Sequence, residues 1–333
     1  MSQTTPPSHA AHGHGDHASH DQHDHGHAHG HDHGHGGHHH APPKDMGKAF
    51  VIGIVLNLGF VVAEWIYGVA SHSLALLADA THNLGDVLGL VLAGVAMVLA
   101  RRAPTERFTY GLRGTSILAA LANATLLMLV TGGLAWEAVQ RFQDPQPVAG
   151  KTVIAVALAG VLVNGFTAWL FTSGQKGDLN VRGAYLHMAA DAVVSLGVAL
   201  AGVVVLFTGW LWLDPLVTIV LAVVIVVGTW GLMRDSFKLA LQAVPESIRL
   251  ADVRDFLCHL PGVCEVHDLH IWGMSTTENA LTAHLVIPGR HPGDDFLQQA
   301  AREVEQRFSI HHVTLQIEMA DGPSCALAPD HVV

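Results

Sequence analysis

Cysteine is scarce in this 333-residue chain: Cys258, Cys264 and Cys325 are the only three, all in its C-terminal part, and no two form a CxxC pair. A disulfide framework is therefore not expected, and a reducing compartment suits the chain. Charged residues make up only 14% and aromatic residues 6%. The few basic side chains form no patch of the kind that tracks a nucleic-acid backbone. There is no HExxH and no nucleophile motif, which leaves hydrolytic chemistry without its usual parts. No basic segment followed by an apolar core opens the chain, so no cleavable signal peptide is expected.

What the chain has instead is long apolar runs. Half of its residues are hydrophobic, ordinary for a polytopic membrane protein and unusual for a soluble one. Six runs reach roughly the 20 residues needed to cross a bilayer core: Phe50–Ala70, Leu74–Ala100, Ser116–Val139, Thr152–Thr172, Ala184–Phe207 and Pro215–Met233. Lys44 and Lys48 precede the first; Arg101, Arg102, Arg107 and Arg113 lie between the second and third. Lys176 and Arg182 lie between the fourth and fifth, and Arg234 and Lys238 follow the sixth. The alternate loops hold only Arg141 and Lys151. That asymmetry predicts both termini in the cytoplasm, and an Ala-, Gly- and Val-rich composition without targeting signals suggests a bacterial inner membrane. The link Ser71-His72-Ser73 is so short that the first two spans should form a tight hairpin.

The second span, containing LALLADATHNLGDVLG, carries Asp79, His82 and Asp86; the fifth carries His187 and Asp191 in AYLHMAADAVVSLG. Residues four apart on a helix share a face, so His82/Asp86 and His187/Asp191 are two matched imidazole–carboxylate pairs. An ionised Asp in mid-membrane costs roughly 2.5–3.5 kcal/mol on insertion scales, and two such pairs ask for a reason. Brought together they would make a four-donor tetrahedral set, the arrangement zinc favours.

Outside the spans the chain changes character. Residues 1–43 hold 15 of the 26 histidines and four Asp, without Lys or Arg. Such a low-complexity tail cannot bury a core and reads as a disordered cytoplasmic segment that binds divalent metal, incidentally or by design. Residues 44–243 are the membrane domain. Residues 244–321 read as helix, strand, strand, helix, strand: Leu250–Leu260, Cys264–Met274, Ala280–Ile287, Asp294–Phe308 and Val313–Glu318. This is a small αββαβ (ferredoxin-like, α+β) cytoplasmic domain. Residues 322–333 form a C-terminal tail.

Taken together, SLALLADATHNLGD (Ser73–Asp86), FTYGLR (Phe108–Arg113), NVRGAYLHMAADAVVS (Asn180–Ser195) and VHDLHIW (Val266–Trp272) resemble the cation diffusion facilitators, in particular their zinc-type branch. The resemblance runs from Met46 to Glu318. It implies a homodimer in the lipid bilayer that exports Zn²⁺, with Cd²⁺ or Co²⁺ as further cargo, by alternating access against protons. It assigns transport ligands His82, Asp86, His187 and Asp191, and cytoplasmic metal positions His267, His284 and Glu318. Metal in the cytoplasmic domain would neutralise acidic surfaces that repel across the dimer. The chain departs from the family at Arg113-Gly114-Thr115, where Arg-Ala-Glu is common, and in keeping Cys325 alone of a CxxC. An intramembrane metalloenzyme or a membrane-bound metal sensor or storage protein are the other readings. Neither uses both buried pairs as carriage does.

The remaining polar residues have blander readings. Asp79 is expected to be structural or to support the ligands. Glu64, Asn57, Asn123 and Asn164 read as helix-packing groups, with a proton-path role the alternative for Glu64, Asn57 and Asn164. Asp214 before Pro215 reads as the N-cap of the sixth span. Cys258 reads as a buried small hydrophobe, Trp272 as a core or dimer contact, and His270 as either a ligand or a solvent-facing strand residue.

Overall fold

The computed structural model describes residues 47–172, 179–320, 322 and 325–328. The His-rich tail, Lys44, Lys176 and most of the C-terminal tail lie outside the described residues. Six long apolar helices form the membrane part: α1 Gly47–Ser71, α2 Leu74–Ala100, α3 Thr115–Arg141, α4 Gly150–Phe171, α5 Leu179–Thr208 and α6 Leu213–Ala240. All six are long and apolar enough to span a bilayer. The main difference from the sequence boundaries is α6, which continues past Met233 through Arg234 and Lys238 to Ala240. Leaving the apolar run does not end a helix whose charged residues find partners, and Arg234 and Lys238 both bond Glu246 just beyond it.

The α1–α2 turn is made by His72, held at φ 54°, and by Ser73, whose side chain accepts from the Leu76 amide and caps α2. Asp214 does not cap its own helix, contrary to the sequence expectation. Its carboxylate accepts from the Ser73 hydroxyl and from the Leu74 and Ala75 amides, so it closes the N-terminus of α2 from α6. A carboxylate there satisfies otherwise orphaned N–H groups and matches the helix dipole. Arg141, at the end of α3, donates to the His72 carbonyl of the same turn.

Small residues let the helices close up, as membrane packing requires. Ala75, Leu76 and Ala78 of α2 pack with Val153 and Ala157 of α4, Val198 and Ala199 of α5, and Leu221 of α6. A side chain at Gly160 of α4 would stand 2.8 Å from the Phe60 ring and 2.9 Å from Ser195 Oγ. Gly85 and Gly89 of α2 face Leu127 and Asn123 of α3 in the same close manner. Large apolar residues such as Leu162, Val193 and Phe207 point outward, where lipid would be their solvent.

The C-terminal domain is α7 Leu250–Cys258, β1 Glu265–Gly273, β2 Asn279–Ile287, α8 Asp294–Phe308 and β3 Ile310–Met319. This is the αββαβ order expected from the sequence. β2 is central, antiparallel to β1 and parallel to β3. Val253, Leu257, Leu281, Leu285, Val304 and Ile310 form its core. Cys258 is exposed, correcting the expectation of burial. It follows Leu257 by one residue, about 100° round the helix, and Leu257 and Val253 take the inward face.

Candidate metal centre

In the membrane part, α2 and α5 bring the two predicted pairs together. His187 Nε2 lies 3.1 Å from Asp86 Oδ2 and 3.7 Å from Asp191 Oδ2, and His82 Nε2 lies 3.6 Å from Asp191 Oδ1 and 3.9 Å from Asp86 Oδ2. Each imidazole therefore faces both carboxylates. A tetrahedron with metal–ligand bonds of about 2.0–2.1 Å has an edge of about 3.3–3.4 Å, within the range of these separations. Asp86, His187 and Asp191 offer donor atoms all within 4.8 Å of one another. His82 stands slightly apart from that trio, its ring 6.1 Å from that of His187. Asp191 is the buried floor, its side chain 3% exposed, whereas those of Asp86 and His187 are 37% and 41% exposed and line the open side.

Behind the cage lies a second polar layer. Asp79, one turn before His82 and Asn83, is 1% exposed and accepts from the hydroxyl of Ser195, one turn after Asp191. Glu64 of α1 is fully buried and accepts from Asn83. The sequence reading of Asp79 as a supporting group matches this position. Asn57 bonds the Gly53 carbonyl and the sulfur of Met188, the residue after His187.

The C-terminal domain holds a second cluster. His267 on β1 and His284 on β2 are directly opposed across the antiparallel pair, rings 5.3 Å apart. Glu318, inside β3 rather than at its end, reaches 2.9 Å from His284 Nδ1 and 3.3 Å from His267 Nε2. His267 is buried with neither ring nitrogen in a hydrogen bond. Buried polar atoms are rarely left so, and a ring placed that way suits a metal. Two residues join this cluster that the sequence reading did not assign. Cys325 brings its sulfur 3.5 Å from His284 Nδ1, completing a group of four donors within 4.8 Å of one another. Asp268, at a bulge in β1 with φ 49°, lies 3.4 Å from His284 Nε2 and 2.8 Å from His270 Nε2. His270 thus belongs to Asp268 and stands outside the four-donor group. The His-Asp-Leu-His spacing on a bulged strand was the available signal for Asp268; a lone cysteine gives none.

Electrostatics favour anionic Glu318. Burial alone would raise its carboxyl, but hydrogen bonds with Cys325 and Gln316 and the two histidines bring it below the ordinary glutamate value. For the Cys325 thiol a backbone hydrogen bond at Leu327 acts downward, but Glu318 and burial outweigh it and the net shift is upward.

The two parts also touch. Arg113, in the link between α2 and α3, meets Glu278 at 2.7 Å, and Ser116 at the start of α3 accepts from the Thr276 amide. The α2–α3 link and the C-terminal domain therefore lie on one side of the helix bundle.

A six-helix bundle with a buried imidazole–carboxylate cluster and an appended αββαβ domain defines a class, and the comparisons agree with it. Residues 50–239 match the cation efflux transmembrane domain and residues 245–320 the cation efflux protein cytoplasmic domain. The chain belongs to the cation efflux family, the cation diffusion facilitators. It is 34% identical to the cadmium, cobalt and zinc/H(+)-K(+) antiporter of Bacillus subtilis, over 85% of this chain and 92% of that protein. It is 35% identical to the zinc transporter ZitB of Escherichia coli, over 86% and 93% respectively. A solved structure, the metal-bound C-terminal domain of the CzcD transporter from Cupriavidus metallidurans, is 33% identical, covering 21% of this chain and 99% of that one, with TM-score 0.20. Its relatives are transporters, and the chain is a multi-pass membrane transporter, not an enzyme.

Proposed function

We propose that the protein is a proton-coupled exporter of Zn²⁺, with Cd²⁺ or Co²⁺ as further cargo, working by alternating access in the bacterial inner membrane. His82, Asp86, His187 and Asp191 would bind the travelling ion. The observation that carries this reading is the mutual facing of two imidazoles and two carboxylates inside apolar helices. Neutral imidazole and ionised carboxylate are metal ligands and their protonated forms are not, so loading metal releases protons and protonation expels metal. Nitrogen and oxygen donors together suit zinc better than manganese, which prefers all-oxygen sites. The relatives, a cadmium, cobalt and zinc/H(+)-K(+) antiporter and a zinc transporter, support the same cargo and coupling.

Both termini are assigned to the cytoplasm from the arginines of the α2–α3 link, which lies on the side of the C-terminal domain. On this reading residues 1–43 form the His-rich tail, 44–243 the transport domain, 244–321 a cytoplasmic dimerisation domain and 322–333 the end of the chain. His267, His284 and Glu318, joined by Cys325, would bind regulatory zinc and tighten a homodimer by neutralising its acidic surface. A dimer dissociation constant unchanged by zinc would remove that part.

The deciding experiment is zinc uptake into inside-out vesicles with an imposed pH gradient. Wild type should accumulate zinc and Asp191→Ala should not. Equal uptake by both would take the buried site out of the mechanism.

A further inference from the structure

Glu64 and Asp79 are the two least accessible carboxyl groups of the membrane part, fully buried and 1% exposed. They sit on either side of the α1–α2 turn, eight residues before and seven after His72, so the hairpin brings them to one depth. Asn83, which bonds Glu64, stands one turn after Asp79 on the same face of α2, so the two carboxyl groups are neighbours. One oxygen of each has an ordinary donor: Asn83 gives its amide to Glu64 Oε2 and Ser195 its hydroxyl to Asp79 Oδ2. The other two, Glu64 Oε1 and Asp79 Oδ1, are buried with no N–H or O–H directed at them.

Two buried carboxylates side by side cannot both stay ionised, because burial and like charge both oppose it. A single proton between them resolves both, turning an acceptor–acceptor clash into a carboxylic acid donating to a carboxylate. We propose that Glu64 and Asp79 form a proton-binding pair, separate from the imidazole–carboxylate cage, that supplies a proton to the transport cycle. The proposal rests on the proton-coupled reading above and locates part of the coupling.

The surroundings fit that role. The charged groups nearest the pair are His82, one turn after Asp79 on α2, and Asp191, one turn before the Ser195 of α5 that bonds Asp79; α4 contributes Gly160, whose missing side chain leaves room for Ser195. With the cage empty, the Asp191 carboxylate favours a proton on the pair. A divalent ion held on Asp191 cancels that field, so the pair releases its proton more readily. Linkage makes the converse hold: a proton on the pair weakens metal binding. The Ser195–Asp79 bond ties the pair to the helix that carries Asp191. A shift of α5 against α2 would expose Asp79 to a different set of partners.

Full-length wild type, Glu64→Gln and Asp79→Asn, reconstituted in lipid, test this with two readouts. Infrared difference spectra at neutral pH without zinc should show a protonated-carboxyl band, marked by its deuterium shift, that both variants lack. In proteoliposomes, zinc and pH dyes should show fewer protons moved per zinc in Glu64→Gln, and at least tenfold less stimulation of zinc flux by a pH gradient. An infrared band that survives in both variants overturns the pair. A band lost with the proton-to-zinc ratio unchanged overturns its part in transport. Wild type that moves zinc without protons sinks the proton-coupled reading instead, and the infrared result still decides whether the pair holds a proton. Asp79→Asn keeps both tests available should Glu64→Gln fail to fold.

Discussion

Replacing Asp191 by Asn changes one oxygen to an amide nitrogen at the floor of the cage while keeping the shape of the side chain. Asp191 faces His82 at 3.6 Å and His187 at 3.7 Å and is nearly inaccessible, so water cannot replace the lost ligand. Structural zinc sites hold about 10–16 kcal/mol of apparent binding free energy. If four donors share it equally, one is worth about 2.5–4 kcal/mol, a loss of about 60- to 700-fold in affinity. Most of that range lies above the 10–100-fold usual for a residue that only supports a ligand. The assay is zinc competition against a chelating dye in detergent, with His284→Ala in both proteins to silence the cytoplasmic site and the weak tail sites fitted as a separate class. Asp191→Glu, which keeps the charge but overreaches by a methylene, should fall between the two. A tight-site affinity within threefold of the parent would refute the reasoning, since no buried ligand of a four-donor site can be lost so lightly.

Other outcomes follow from single contacts. Asp214→Ala leaves the Ser73 hydroxyl and the Leu74 and Ala75 amides without their acceptor; at about 1–3 kcal/mol for each buried orphan, partly relieved by relaxation, the unfolding midpoint in detergent should drop by several degrees. Gly160→Val should destabilise by about 1–3 kcal/mol through overpacking, measured the same way, because its side chain would press on the Phe60 ring and on Ser195, both buried. Cys325→Ser should weaken zinc at the cytoplasmic cluster about tenfold or more while leaving vesicle transport at saturating zinc close to wild type; an unchanged affinity would take the thiol out of the ligand set. Arg113→Ala, which cuts a half-exposed ion pair, should cost about 1 kcal/mol or less in a double-mutant cycle with Glu278→Ala.

The fold was legible because its signals are periodic and long. Apolar runs set six spans, alternation set β1 and β2, and an amphipathic pattern gave α8 its exact ends at Asp294 and Phe308. Boundaries slipped where charge ended an apolar run without ending the helix, as at Arg234 and Lys238. The facing of the four proposed ligands was legible for a related reason: His82/Asp86 and His187/Asp191 are each one turn apart, so local spacing alone puts each pair on one face, and burial cost says the two faces must meet. Asp214 and Cys258 went wrong where local grammar has two solutions. An Asp–Pro at a helix start is a capping signal, yet the cap it makes belongs to another helix 140 residues away in sequence, which no local pattern encodes.

Cys325 and Glu64 were illegible or ambiguous for a different reason: their partners come from elements distant in sequence or from a turn whose register must be known first. Nothing around Cys325 says that it reaches His284 on β2. Glu64 reads alone as a packing group on α1. Its meaning changes once His72 is fixed as the apex of the hairpin, because counting back eight and forward seven from it pairs Glu64 with Asp79. The short link Ser71-His72-Ser73 carries that register information in the sequence itself. A tight helical hairpin can therefore be read outward from its turn, much as a β-hairpin is, and buried polar residues equidistant from the apex treated as one group. In this chain that rule joins the carboxyl on α1 to the helix that holds His82 and Asp86, so a group with no contact to the cage becomes part of its electrostatics.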